Sequence, residues 1–175
     1  RGGNGGVFLL RSEDNGDSWT GPDRIGEDLD GVDDWQGIQP YGKIRVLSDG
    51  DVIMPVWGRF RGSSYGITGH MRSADSGKTW NRLVIVARGL VSYNETMQLP
   101  DGRLLAIVQN NNSQADPFYW SWSDDVGETW SDLDVTSSPL YGQSPSLFLT
   151  KKGQLVCGYR WVGGLDKGFV GVALS

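Results

Sequence analysis

Few residues in this chain combine a reactive type with a placement that could do chemistry. Glu95 is an acid at the head of a strand–turn–strand stretch, Asn94-Glu95-Thr96-Met97-Gln98-Leu99-Pro100-Asp101-Gly102-Arg103-Leu104-Leu105. A carboxylate there can move a proton, or it can sit solvated or ion-paired. Arg59 and Arg160 each follow an apolar stretch and lie close to Trp57 and Trp161. A planar guanidinium stays charged and pairs with a carboxylate through two parallel bonds. Stacking on the nearby indole is the alternative at both positions. Tyr41 and Tyr93 lie near strand starts, as do Gln39, Asn94 and Gln143. Aromatics and amides at one rim suit a neutral sugar face. Gln109 opens the polar run Gln109-Asn110-Asn111-Asn112-Ser113-Gln114, which can bond hydroxyls or form a polar loop. Trp35 follows Asp33-Asp34, an aromatic beside paired acids of the kind common where sugars bind.

Other chemistries have little support. His70 is the single histidine, and it has no second His or Cys partner, so no metal site is expected. The same lack argues against Ser-His-Asp and Cys-His catalysis. The acidic stretch with Asp28, Asp30, Asp33 and Asp34 lacks the ligand and glycine spacing of a calcium loop and reads as solvated. No glycine-rich phosphate loop is present, and no cofactor is expected.

Two repeated patterns must position these residues. One is strand, turn, strand, with turn glycines at Gly50, Gly102 and Gly153, and with the first inner strand expected over 38–47. The other is Ser-x-Asp-x-Gly-x-(Ser/Thr)-Trp, at 12–19, 73–80 and 123–130. Its fixed residues include Asp14, Gly16 and Trp19, then Asp75, Gly77 and Trp80, then Asp125, Gly127 and Trp130. The chemistry suits a turn: Ser and Asp side chains bond nearby backbone N–H groups, Gly supplies positive φ, and Trp anchors the end. Two independent patterns thus report a period near 50 residues, the mark of propellers and solenoids. Third strands are expected at 65–72, 117–122 and 169–174, and outer strands near 83–87 and 132–136. A short polar strand is expected near 23–26. No stretch has helical periodicity.

The eight-residue pattern resembles the Asp-box, or BNR repeat, of the sialidase (neuraminidase) superfamily. The resemblance implies an all-β fold: a β-propeller of sialidase type, six-bladed in the full-length parent, with about three four-stranded blades here. It places the boxes on the rim away from the active site, so the box residues are structural. Residues 1–175 are expected to form one partial propeller, with a fourth box starting at Ser175, and to be inactive alone and either poorly stable or associated. The stretch around Glu95 is similar to the sialidase segment bearing the acid that activates a tyrosine nucleophile, which would come from outside this chain. Arg59 and Arg160 would then hold an anionic group. Tyr41, Tyr93, Gln109 and Trp35 would meet the substrate.

The match departs from the family in three respects. The blade before that acid should begin with an Arg-Ile-Pro-like motif, and this chain has Gln39-Pro40-Tyr41-Gly42-Lys43-Ile44. The family's Asp acid/base follows the second strand of such a blade, and residues 58–66 contain no acid. Sialidases carry a triad arginine after the second strand of the blade with that acid, and this chain has Gln109 there, with no arginine between Arg103 and Arg160. The reading is a sialidase-like exo-glycoside hydrolase acting on a glycan. A non-catalytic carbohydrate-binding propeller, or a divergent glycan hydrolase or lyase of the same fold, is the alternative.

Composition narrows the partners. The 175 residues include 26 Gly and 8 Trp, which suits short strands, tight turns and aromatic packing between blades. A net charge of −5 without a run of Lys or Arg gives no support to nucleic-acid binding. No apolar run reaches the roughly 20 residues of a membrane helix. Cys157 is the single cysteine and, in its apolar setting, reads as a core residue. The expected partners are a glycan or sialoglycoconjugate and the remaining blades of the parent.

Overall fold

The structure is a computed structural model that describes residues 6–26, 29, 35–60, 62–112, 116–135, 140–161 and 170–174. The described residues form strands and turns, with no helix. A two-stranded hairpin comes first, β1 (Val7–Arg11) and β2 (Thr20–Ile25). The next sheet holds β3 (Trp35–Pro40), β4 (Arg45–Val46), β5 (Val52–Phe60), β6 (Gly66–Ser73) and β7 (Arg82–Gly89). Its order is β3-β5-β6-β7, and β4 also pairs with β5. A third sheet contains β8 (Val91–Gln98), β9 (Leu104–Asn110) and β10 (Tyr119–Ser123). The last contains β11 (Gln143–Leu149), β12 (Leu155–Arg160) and β13 (Val170–Leu174). Every pairing between these strands is antiparallel, and apart from β3 with β5 each joins neighbours in the chain, as in propeller blades.

The cores lie between the sheets. Val7, Ile25, Met54, Val56, Ile67 and Met71 join the hairpin to the first blade. Val86, Val91, Ala106 and Val108 join the first blade to the second, and Met97, Ile107, Phe118, Leu147 and Cys157 join the second to the third. A strand in mid-blade is therefore covered on both faces. This explains why β6 and β9 are buried along their whole length rather than alternately. Each fully buried Leu or Ile contributes about 1.5–3 kcal/mol.

The three boxes fold alike. Asp14, Asp75 and Asp125 each accept the backbone N–H of the residue four positions on, at 2.9, 2.8 and 2.9 Å. Their glycine N–H groups donate to the leading serine hydroxyl at 2.7, 2.8 and 2.8 Å. The Ser18, Thr79 and Thr129 hydroxyls also donate to these carboxylates. The hydroxyl and backbone donors stabilise the carboxylate form and hold each aspartate at about 2, well below its usual range. The fourth and fifth box positions have φ near +60° and between +84° and +99°, which is why glycine stands at the fifth. The anchoring tryptophans differ: Trp80 is buried, Trp130 is half-buried, and Trp19 is 61% exposed, because among the described residues no sheet covers that face of the hairpin.

The arginine before a box reaches the next box. Arg11 Nη2 donates to Gly77 O at 2.7 Å, and Arg72 Nη1 donates to Val126 O at 2.9 Å. Trp122 holds the same place before the third box, with Arg103 over its ring at 4.9 Å.

Three expectations need correction. The inner strand expected over 38–47 is split into β3 and β4. Gly42 is left-handed (φ 95°), and the Lys43 N–H bonds a side chain instead of β5. The strand expected near 132–136 is reduced to a bridge between Trp120 and Asp134, and Thr136 lies outside the described residues. The Ser131 hydroxyl takes the Trp122 N–H at 3.0 Å and displaces the ladder. The polar strand expected at 23–26 starts earlier, at Thr20.

Candidate functional site

Register places the rim residues together. Gln36 faces Arg59, Val91 faces Asn110, and Gln143 faces Arg160. These pairs lie at one end of three successive blades, opposite the boxes and the Gly50, Gly102 and Gly153 turns. Each inner strand shifts register there, between Gln36 and Gln39, Val91 and Asn94, and Gln143 and Ser146. Bulges re-aim side chains and terminate pairing, and they gather beside functional sites.

Tyr41 and Tyr93 stack at this end, with ring centroids 4.2 Å apart, and Trp57 meets Tyr93 edge-on at 5.2 Å. The Ser144 side chain lies beside the Tyr41 hydroxyl. Burial raises the Tyr41 pKa, and the negative charge of Glu95 adds to the rise, so Tyr41 stays protonated. A nucleophilic phenolate needs the opposite shift.

Glu95 lies deeper, in the middle of β8, and is 1% exposed. Arg45 Nη2 donates to Oε1 at 2.7 Å, and the Lys43 N–H donates to Oε2 at 3.1 Å. Both cations also reach the third blade. Arg45 Nη2 and Lys43 Nζ donate to Leu147 O at 3.1 and 3.2 Å. Gly42 permits this approach, since a Cβ there would stand 2.7 Å from Glu95 Oε2. One buried carboxylate therefore ties three blades together.

Arg59 and Arg160 are exposed, with no ion pair among the described residues. Gln109 is 6% exposed, and both its polar atoms are engaged: Oε1 accepts from Ser144 N at 2.8 Å, and Nε2 donates to Asn111 Oδ1 at 3.2 Å. Trp35 opens β3, and its side chain lies outside the described residues. So does most of the acidic stretch before it, including Asp28, Asp30, Asp33 and Asp34.

Behind Glu95 runs a buried polar seam between the first two blades. His70 Nε2 meets Thr96 Oγ1 at 2.7 Å, and Asn94 Nδ2 donates to Thr68 Oγ1 at 2.5 Å and Gly69 O at 3.1 Å. Burial, with a smaller contribution from the Arg72 charge, lowers the His70 pKa to about 3. Among the described residues no cluster of His, Cys, Asp and Glu has metal-site geometry. Burial pushes the Cys157 thiol up to about 11, which leaves it unreactive.

Sequence reasoning missed Lys43, Arg45 and Ser144. The Pro40-Tyr41-Gly42 break was a usable signal for the first two. Nothing local marked Ser144, whose partners come from other blades.

A family model described as a BNR repeat-like domain matches residues 3–160. An exo-alpha-sialidase of Arthroderma benhamiae is 34% identical over 101 residues, which cover 57% of this chain and 22% of that protein. A Dyadobacter fermentans protein of unknown function superposes with a TM-score of 0.80 at 19% identity, covering 95% of this chain and 47% of that one. The Hadza microbial sialidase Hz136 gives 0.70 at 18% identity, over 86% and 30% of the two chains. The Trypanosoma rangeli sialidase in complex with the inhibitor DANA gives 0.66 at 17% identity, over 90% and 28%. The chain thus spans less than a quarter of the curated relative and less than half of these solved structures. At such identities the structural likeness shows the fold, a β-propeller of sialidase type.

Proposed function

Because the chain belongs to the BNR repeat-like domain family, we propose that it supplies about three blades of a six-bladed glycan-processing propeller, an exo-glycoside hydrolase of sialidase type. One observation carries the reading: the Tyr41–Tyr93 stack and the polar ends of β5, β9 and β12 gather at one end of three blades, with the Glu95 carboxylate buried beneath them. Further blades would also cover the apolar side chains that the inner strands leave bare, such as Val46 (70% exposed) and Phe148 (59%).

In this reading the aromatic pair and Trp35 meet the apolar face of a sugar ring. Arg59 and Arg160, without counter-ions among the described residues, hold an anionic group on the glycan. Glu95 is the catalytic carboxylate, which accepts the proton of a tyrosine nucleophile supplied by the remaining blades. Each of its oxygens retains one lone pair beyond its bond to Arg45 or Lys43.

The burial of Glu95 favours a second reading, a propeller that binds glycan without turnover. The test is sugar release by the full-length protein from a fluorogenic sialoside and a mixed glycan panel, beside its Glu95→Gln variant, with melting curves for both. Turnover that collapses in a folded variant supports hydrolysis through Glu95. Equal turnover by both removes Glu95 from the chemistry. Binding without release by the parent supports the second reading.

A further inference from the structure

Ser144 is a non-glycine residue held at φ 56°, in the left-handed region, at the register shift of β11. Strained backbone of this kind persists only where the surroundings enforce it, and it gathers at functional sites. The enforcing contact is visible. The Ser144 N–H donates to Gln109 Oε1, which belongs to the neighbouring blade, at 2.8 Å. Gln109 is itself pinned, because its Nε2 donates to Asn111 Oδ1, which also accepts from Ser92 Oγ at 2.9 Å. On its other side the Ser144 side chain lies beside the Tyr41 hydroxyl. The relay therefore runs from the second blade through the third to the first, and ends on the ring stacked against Tyr93.

We propose that Gln109 is a positioning residue. Through the Ser144 bulge it fixes the Tyr41 ring, stacked on Tyr93, as the aromatic face on which one pyranose ring of a glycan packs. This rests on the glycan reading above and goes beyond it, because it gives Gln109 no contact with substrate. A glutamine with both polar atoms engaged within the protein and 6% of its surface exposed presents little to a hydroxyl on the rim. What it supplies is the conformation of Ser144. A rigid aromatic face loses little freedom when a sugar docks, so its orientation decides affinity.

The experiment uses the full-length protein labelled with 3-fluorotyrosine. The Tyr41 and Tyr93 signals are assigned by Tyr41→Phe and Tyr93→Phe. Gln109→Met and Ser144→Ala are expected to shift or broaden both signals without ligand, whereas Gln109→Glu, which keeps the acceptor for the Ser144 N–H but loses the donor to Asn111, is expected to disturb them less. Binding of 3′-sialyllactose and of lactose is then titrated. Gln109→Met is expected to weaken the bound probe about tenfold, as Tyr41→Ala does, and the double variant is expected to lose no more than either single one.

Unmoved tyrosine signals in Gln109→Met, with binding intact in the parent, would overturn the relay alone. Additive losses in the double variant would overturn it too. If the parent binds neither probe, the sugar face is removed together with the glycan reading, while the spectra still report whether Gln109 orients Tyr41. A smaller disturbance in Gln109→Glu than in Gln109→Met separates positioning from general loss of fold.

Discussion

Arg72 Nη1 donates to the backbone carbonyl of Val126 at 2.9 Å, so the residue that precedes one box grips the next box, 54 positions along the chain. The same guanidinium is 4% exposed and pairs with Asp49, Asp51 and Glu128. Arg11 repeats the contact one blade earlier, on Gly77, from a more open position. The boxes are thus linked in series as well as folded alike.

Replacing Arg72 by Met is expected to cost at least about 2 kcal/mol, since it leaves three acids crowded and a carbonyl unpaired. Arg11→Met, with its partner Asp23 in solvent, should cost about 1 kcal/mol or less. Urea unfolding of the full-length protein reads both. Equal losses would show that burial of the guanidinium is not what matters.

The Arg45–Glu95 pair is expected to respond unequally to loss of either side. Arg45→Met strands a carboxylate that is 1% exposed and should cost about 3–5 kcal/mol. Glu95→Gln leaves Arg45, 21% exposed, within reach of water and of Leu147 O, and should cost less. Melting temperatures of the two variants decide it.

Stability should fall as pH drops through the range of the single histidine. The folded pKa of His70, about 3, lies below the ordinary 6.5. The unfolded chain therefore binds the extra proton first, and stability present above pH 6.5 is lost progressively towards pH 3. The slope approaches about 1.4 kcal/mol per pH unit. The box aspartates, held at about 2, add a further loss between their ordinary 3.8 and 2. Since the chain has one His, a His70→Leu variant should flatten the slope between pH 6.5 and 5. Denaturant unfolding at stepped pH checks this, and an unchanged slope would refute the assignment.

Gly42 and Gly50 have similar φ values, 95° and 91°, yet Gly42→Ala should be the more damaging. An added Cβ at Gly50 meets nothing within 4 Å, so the cost is conformational, about 1 kcal/mol. At Gly42 it meets Glu95 Oε2 at 2.7 Å and Asn94 O at 2.9 Å, which adds about 1–3 kcal/mol. Differential scanning calorimetry of the two variants compares them directly.

Trp80→Ala should cost about 3–5 kcal/mol, as for a large aromatic removed from a core. Trp19→Ala, in an identical box position but 61% exposed, should cost well under half of that in residues 1–175. Paired unfolding curves would show whether the box or its surroundings sets the value.

The amino-acid sequence by itself determined the boxes, the hairpins and the period of the blades. Each box closes its hydrogen bonds within eight residues, from Ser73 to Trp80 for example, and each Gly-centred turn joins strands that follow one another. Local pattern suffices where the bonding partners are local. It also placed Glu95, Arg59 and Arg160 on their strands, because alternation and turns fix register. Only the tertiary structure decided what those positions do. Arg45 meets Glu95 from 50 residues away, Ser144 meets Gln109 from 35, and the same tryptophan is buried in one box and open in another. Such contacts depend on how one sheet face packs on the next. No repeat within a single blade encodes which side chain of the neighbour will stand opposite.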